Sequence, residues 1–277
     1  MFRKKWLLLG FTIILLMILI SCAKQEEQSI SSQTQQQPQE KIELNYNIFF
    51  PSTHIQAQLA AAFAEEIKKL SNGRVEIKCH FGGALTKPNE VYDSVENGIA
   101  DLGMSCFAYT PGKFKTISAI DLPLEYPSGS VATQVANEFV KNYGTDELKN
   151  VKLLYVHAHG PGLLHTKKAV YKLNDLKGLK IRATGISSEI VKALSATPIA
   201  LPQNEVYESL KKNIVDGTLT PIETLKGWNQ AEVIDYTIEC SSIGYTTAMF
   251  VVMNSKKWQA LPEDIQKIFE NLSNEYI

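Results

Sequence analysis

Apolar and polar residues alternate through Ile42, Leu44, Tyr46 and Ile48, a period of two that predicts a strand with one covered face. The chain opens into Phe49-Phe50-Pro51-Ser52-Thr53 and the period changes. Ile55, Leu59, Phe63 and Ile67 recur every four residues, which predicts a helix capped by Ser52 or Thr53 and stopped at Asn72-Gly73. Val75, Ile77, Cys79 and Phe81 alternate again, and a helix around Asn89 to Asn97 leads to a strand over Ile99 to Met104.

The later half has the same order: a strand over Leu179 to Ile181, a loop Arg182-Ala183-Thr184-Gly185, a helix over Ser188 to Leu194, a short strand near Ile199, another helix, and a strand ending at Asp216. The halves also share wording. Asn89-Glu90-Val91-Tyr92-Asp93-Ser94 matches Asn204-Glu205-Val206-Tyr207-Glu208-Ser209, and the same register pairs Ile99 with Ile214 and Asp101 with Asp216. Strands alternating with helices predict parallel sheets covered on both faces, here as two α/β lobes of related topology. Ligands of such sheets sit beyond the carboxyl ends of the strands, where helix N-termini favour an anion. The two corners, Phe49 to His54 and Arg182 to Ser187, therefore predict a cleft for a small anionic molecule.

Composition narrows the class. The chain has 277 residues with 44% apolar and 21% charged positions, which excludes a disordered chain, a collagen and a multi-span membrane protein. Its formal charge of -1 lacks the basic footprint of a nucleic-acid binder. Arg3, Lys4 and Lys5 precede an apolar run from Trp6 to Ile20, a secretory signal, and Leu19-Ile20-Ser21-Cys22 resembles the lipobox at which bacterial lipoproteins are cleaved and acylated. Acylation of Cys22 would tether the chain to the outer side of the cytoplasmic membrane through the Gln- and Ser-rich stretch from Lys24 to Lys41. Losing the signal leaves 25 basic against 29 acidic residues, too mild an excess to name a partner. Cys79, Cys106 and Cys240 lack CxxC spacing and predict neither a zinc site nor a disulfide framework.

Several linked motifs resemble one family. Asp175-Leu176-Lys177-Gly178-Leu179-Lys180-Ile181-Arg182, Ala196-Thr197-Pro198, Asn204 to Leu210, Val215-Asp216-Gly217 and Pro221 look like a DctP-type solute-binding protein of tripartite ATP-independent periplasmic (TRAP) transporters. Asn72-Gly73-Arg74-Val75, Gly98 to Gly103 and Leu122-Pro123 follow the family's order in the first half. The resemblance implies a two-lobed periplasmic-binding-protein-like fold, extracytoplasmic capture of a small organic acid by hinge closure, and delivery to TRAP permease subunits in the membrane, with no cofactor. Family members usually continue beyond Leu261-Pro262-Glu263-Asp264 with further helix, so the stop at Ile277 reads as a truncated sequence. The expected domains are residues 1–41 as signal and tether, 42–159 with 248–277 as domain I, and 160–247 as domain II, with crossings near His157 to Gly162 and Tyr245 to Phe250.

Arg182 is the leading site residue. It lies on the opposite side from Ile181, its planar guanidinium can hold a carboxylate through two parallel bonds, and the matching Arg of the family grips the substrate carboxylate. Thr184 lies in the same corner. Some members carry a second Arg about twenty residues earlier, where this chain has His159 to Thr166 and no Arg. One gripped carboxylate follows, its remainder set among Phe49, Phe50, Tyr109, Trp228 and Tyr245, aromatics whose ordinary role is core. His54 either bonds a ligand oxygen or covers the helix start. Thr220-Pro221-Ile222-Glu223 has the layout of a capping box, which accounts for Glu223 and would turn the Thr220 hydroxyl to the cleft. His157, His159 and His165 lack a further ligand for a metal and read as hinge packing. No P-loop, GxGxxG, HExxH or Gly-x-Ser-x-Gly pattern occurs, so the chain reads as a binder without catalysis. The alternatives are a surface-tethered hydrolase and a ligand-sensing lipoprotein using the same cleft.

Overall fold

The computed structural model describes residues 41–277; the basic start, the apolar run, Cys22 and the tether before Lys41 lie outside the described residues. The first half runs β1 (Ile42–Ile48), α1 (Ile55–Leu70), β2 (Val75–His80), α2 (Val91–Glu96), β3 (Leu102–Cys106), α3 (Gly129–Phe139) and β4 (Val151–Ala158). The chain then forms β5 (Gly162–Thr166), β6 (Lys180–Ala183), α4 (Ser187–Ala193), β7 (Thr197–Ala200), α5 (Val206–Lys211), β8 (Gly217–Pro221), α6 (Thr224–Gly227) and β9 (Tyr236–Ile238). It ends with β10 (Ala248–Asn254), α7 (Ser255–Ala260) and α8 (Glu263–Glu275). No helix among the described residues is long and apolar enough to cross a membrane.

Two five-stranded sheets result, ordered β2-β1-β3-β10-β4 and β7-β6-β8-β5-β9. The expectation of parallel sheets needs correction: β1, β2 and β3 are parallel, as are β6, β7 and β8, but β10 runs antiparallel to both its neighbours β3 and β4, and β5 to both its neighbours β8 and β9. The reversed strands adjoin the inter-sheet connections. The chain leaves the first sheet after Ala158 and enters the second at Gly162, then leaves at Ile238 and returns at Ala248. A strand arriving from the other sheet needs no helical crossover, so it is free to pair antiparallel.

The sequence echo has a shared physical role. Asp101 accepts the Asn45 N–H at 2.7 Å and Asp216 accepts the Lys180 N–H at 2.9 Å, while the backbone N–H of each aspartate bonds back to Asn45 O or Lys180 O. Each acid therefore ties a turn to its central parallel strand, at the middle of β1 and at the start of β6. The strands predicted at Ile99 to Met104 and ending at Asp216 instead begin just after these acids, at Leu102 and Gly217. Ile99 and Ile214 sit in the turns and are exposed, their N–H groups occupied by Ser94 O and Ser209 O.

Burial follows the strand period. Met249, Val251 and Met253 of β10 join Leu44, Tyr46 and Ile48 under α1 and α8, while Ala248, Phe250 and Val252 face Tyr92, Val95 and Ile117 on the other side. In the second sheet Ile181, Ala183, Leu164 and Leu219 form one face, and Val206, Leu210 and Val215 pack with Ile199 on the other. Helix α1 departs from expectation. Its buried stripe is Ala57, Ala60, Phe63, Ala64 and Ile67, whereas Ile55 and Leu59 are exposed. A strict four-residue spacing advances about 40° per step along a 3.6-residue helix, so a long run of it drifts off the core face.

Candidate functional site

The first corner forms where β1 runs out into Phe49 and Phe50, both buried. Helix α1 is capped by His54 rather than Ser52 or Thr53: the His54 Nδ1 accepts the Gln56 N–H at 3.2 Å. This bond leaves the proton of the neutral ring on Nε2. Burial holds the His54 pKa down to about 4, so the ring is uncharged at neutral pH.

The second corner begins two positions later than predicted, because Arg182 and Ala183 belong to β6, with Arg182 beside Ile199 of β7 and Thr218 of β8. Ile181 turns into the apolar core and Arg182 to the opposite face, as the two-residue period requires. The Arg182 side chain is 4% exposed, and its Nε–H donates to Leu201 O at 2.8 Å. Among the described residues no carboxylate forms an ion pair with it. A buried guanidinium without a counter-charge is unfavourable and is strongly stabilised by an arriving anion. At the start of α4, Ser187 Oγ accepts the Thr184 N–H and donates to Thr184 O, which fixes the turn beyond Arg182.

Arg182, Thr184, Thr220, Glu223, Trp228, Tyr245 and His54 line one cavity of about 60 Å³ between the two sheets. That is room for about four waters or one compact organic acid. Three predicted residues lie elsewhere, and Phe49 is buried core. Phe50 is core, stacked on His54 at 4.4 Å between ring centroids, and Tyr109 lines a neighbouring cavity while its hydroxyl accepts the Gln203 N–H at 3.1 Å. Six residues outside the predicted set join the lining: His159, Gln203, Pro221, Thr224, Thr247 and Met249. Thr247 and Met249 come from the returning chain at β10, and only the sheet topology brings them to Arg182.

The expected capping box at Thr220 to Glu223 does not form. Pairing of Thr220 with Leu163 and of Pro221 with Gly162 keeps the segment extended in β8, and α6 starts only at Thr224 without a side-chain cap. Thr220 Oγ1 lies 3.1 Å from Thr224 Oγ1, which donates to Pro221 O. Glu223 is exposed at the cavity rim. The Tyr245 hydroxyl donates to Leu219 O at 2.6 Å, so this ring contributes surface rather than a free hydroxyl.

Trp228 bridges the lobes. It follows α6 and packs on Phe49 at 6.0 Å, Phe50 at 5.8 Å and His54 at 5.6 Å between centroids. Gly227 permits this approach, because a methyl group there would lie 2.5 Å from the His54 ring. Gly227→Ala is expected to push Trp228 off the aromatic stack at a cost of about 1–3 kcal/mol. Tryptophan fluorescence checks this, and an emission spectrum identical to that of the unsubstituted chain would refute the contact.

A family model described as bacterial extracellular solute-binding protein, family 7 (DctP) matches residues 46–276. A solute-binding protein of Roseobacter denitrificans is 23% identical over 220 residues, 75% of this chain and 64% of its own length. The chain thus spans somewhat less than two thirds of that relative. A TRAP periplasmic solute-binding protein of Desulfovibrio salexigens, solved as an open complex, is 32% identical with a TM-score of 0.71 over 85% of this chain and 73% of its own. A TRAP periplasmic solute-binding protein of Bordetella bronchiseptica, solved with (R)- and (S)-mandelate, is 31% identical with a TM-score of 0.78 over 83% and 75%.

Proposed function

The chain belongs to the bacterial extracellular solute-binding proteins of family 7, and from that premise we propose that it captures a small monocarboxylate outside the cytoplasm and hands it to a TRAP permease. One observation carries the reading: Arg182, buried and without an acidic partner among the described residues, lines the cavity at the seam of the two sheets. An anion supplied from solution completes it. Arg182 is the single Arg or Lys in the lining, which favours one carboxylate over two. The mandelate held by the Bordetella relative supports the same ligand class.

The moving parts are domain I, residues 42–159 with 248–277, and domain II, residues 160–247. They turn on the two connections between the sheets. Open lobes sample closure, and a carboxylate on Arg182 stabilises the closed state because the contacts of Trp228 with Phe49, Phe50 and His54, and of Tyr109 with Gln203, form around it. Thr184, Thr220 and Tyr245 shape the remaining wall, and Cys22 carries the acyl anchor that keeps the chain at the membrane surface. The cleft binds without turnover.

The test is thermal unfolding of the chain with lactate, mandelate, benzoate and succinate, each against its neutral amide. A ligand at one hundred times its Kd raises stability by about 2.7 kcal/mol. Stabilisation by the monocarboxylates and not by the amides is the expected result, with the acids recovered unchanged by mass spectrometry. Equal effects of acids and amides, or turnover of the amides, would overturn the reading.

A further inference from the structure

His159 stands just past β4, at the first connection between the sheets, and its ring lines the same cavity as Arg182, edge-on to Tyr245 at 5.5 Å between centroids. Its Nδ1 lies 2.5 Å from the carbonyl oxygen of Gly160. A carbonyl has no hydrogen to give, so Nδ1 is the donor. Burial, reinforced by the neighbouring Arg182 charge, holds the His159 pKa at about 4 and the ring neutral. A neutral imidazole carries one N–H, so the Nε2 of His159 is a lone-pair acceptor. Among the described residues no protein group donates to it. His54 is the mirror case: its Nδ1 accepts a backbone N–H, and its Nε2 carries the hydrogen. The cavity thus holds two histidines whose backbone bonds fix opposite tautomers.

Resting on the acid-binding reading above, we propose that His159 selects among acids: its Nε2 accepts a hydrogen bond from a hydroxyl on the carbon next to the bound carboxylate, so the site prefers 2-hydroxy acids to 2-oxo acids. With the carboxylate on Arg182, an oxo oxygen facing Nε2 would set two acceptors against each other and displace water that could donate to either. A hydroxyl satisfies the nitrogen. An ammonium at the same carbon would also donate, but it would place a second cation beside the buried guanidinium, so amino acids fit worse.

Calorimetry on the full chain with two matched sets decides the point: lactate, pyruvate and propionate, and mandelate, phenylglyoxylate and phenylacetate. Each set shares a carboxylate and a carbon skeleton and differs only at the adjacent carbon. The hydroxy acid is expected to bind at least tenfold tighter than the oxo acid. In His159→Leu that ratio should fall to about one. Nitrogen NMR of the histidine-labelled chain gives a readout independent of any variant, and should find His159 protonated on Nδ1. An oxo acid that binds as tightly as its hydroxy partner, or a His159 protonated on Nε2, overturns the selection and leaves acid binding standing. Failure of all six acids to bind removes both.

Discussion

Arg182→Ala is expected to lower the affinity for a small carboxylate by tens-fold or more, about 2 kcal/mol or above, while leaving the fold intact. The expectation has two halves that a structural arginine would not satisfy together. A guanidinium holding the fold through an ion pair destabilises the protein when removed. Arg182 has no such partner among the described residues and is 4% exposed, so the empty protein carries an uncompensated buried charge. Its removal should therefore leave the unliganded melting temperature unchanged or raise it, despite the lost bond to Leu201 O. The stabilisation produced by acid should vanish. Arg182→Lys keeps the charge but not the planar fork, and should recover only part of the affinity. Calorimetry with lactate and mandelate measures the loss. Unchanged affinity would remove Arg182 from the site, and a collapse of unliganded stability would make it a structural residue.

Much of this arrangement is legible in the sequence because short periods and local bonds determine it. The alternation of Leu44, Tyr46 and Ile48 places three side chains in one core, and the paired Asp101 and Asp216 mark equivalent turns in the two halves. Arg182 can be singled out because a polar residue opposite Ile181 at a strand end has few places to go. The rest depends on distant chain. Nothing local in Thr247 or Met249 signals that β10 returns from the second sheet to lie beside β3. Thr220-Pro221-Ile222-Glu223 fits a capping box by composition, yet pairing with β5 keeps it extended, a case of tertiary structure overriding a local preference. His159 reads as hinge packing until the carbonyl of Gly160 fixes its tautomer and the second lobe brings Arg182 near.

Lowering the pH from 7 toward 5 is expected to destabilise the folded chain steeply, because three histidines at the cleft and hinge are held neutral. Burial lowers His54, His157 and His159 to about 4 each, and His157 is lowered further by the other two and His159 by Arg182. An unfolded histidine titrates near 6.5. Between about pH 6.5 and 4 the unfolded chain therefore binds more protons than the folded one. The stability is fully present above pH 6.5 and falls as the pH drops through that window. By pH 5 the combined loss is on the order of 5 kcal/mol, comparable with the whole stability of a typical domain. His157 is the most exposed to this effect, since its buried Nε2 has no hydrogen-bond partner to hold an added proton. Asp121 works in the opposite direction. Its carboxyl is raised to about 7 by burial, against a bond from the Ala248 N–H, so the folded chain holds that proton between about pH 4 and 7 and gains stability as the pH falls. One carboxyl offsets only one of the three imidazoles, which leaves a net acid loss. Melting temperatures across pH 4.5 to 8 give the slope. Asp121→Asn should steepen it below pH 7, and His157→Gln should flatten it by about one proton. A melting temperature constant between pH 7 and 5 would mean that these imidazoles are already open to water and that the closed seam does not hold them neutral.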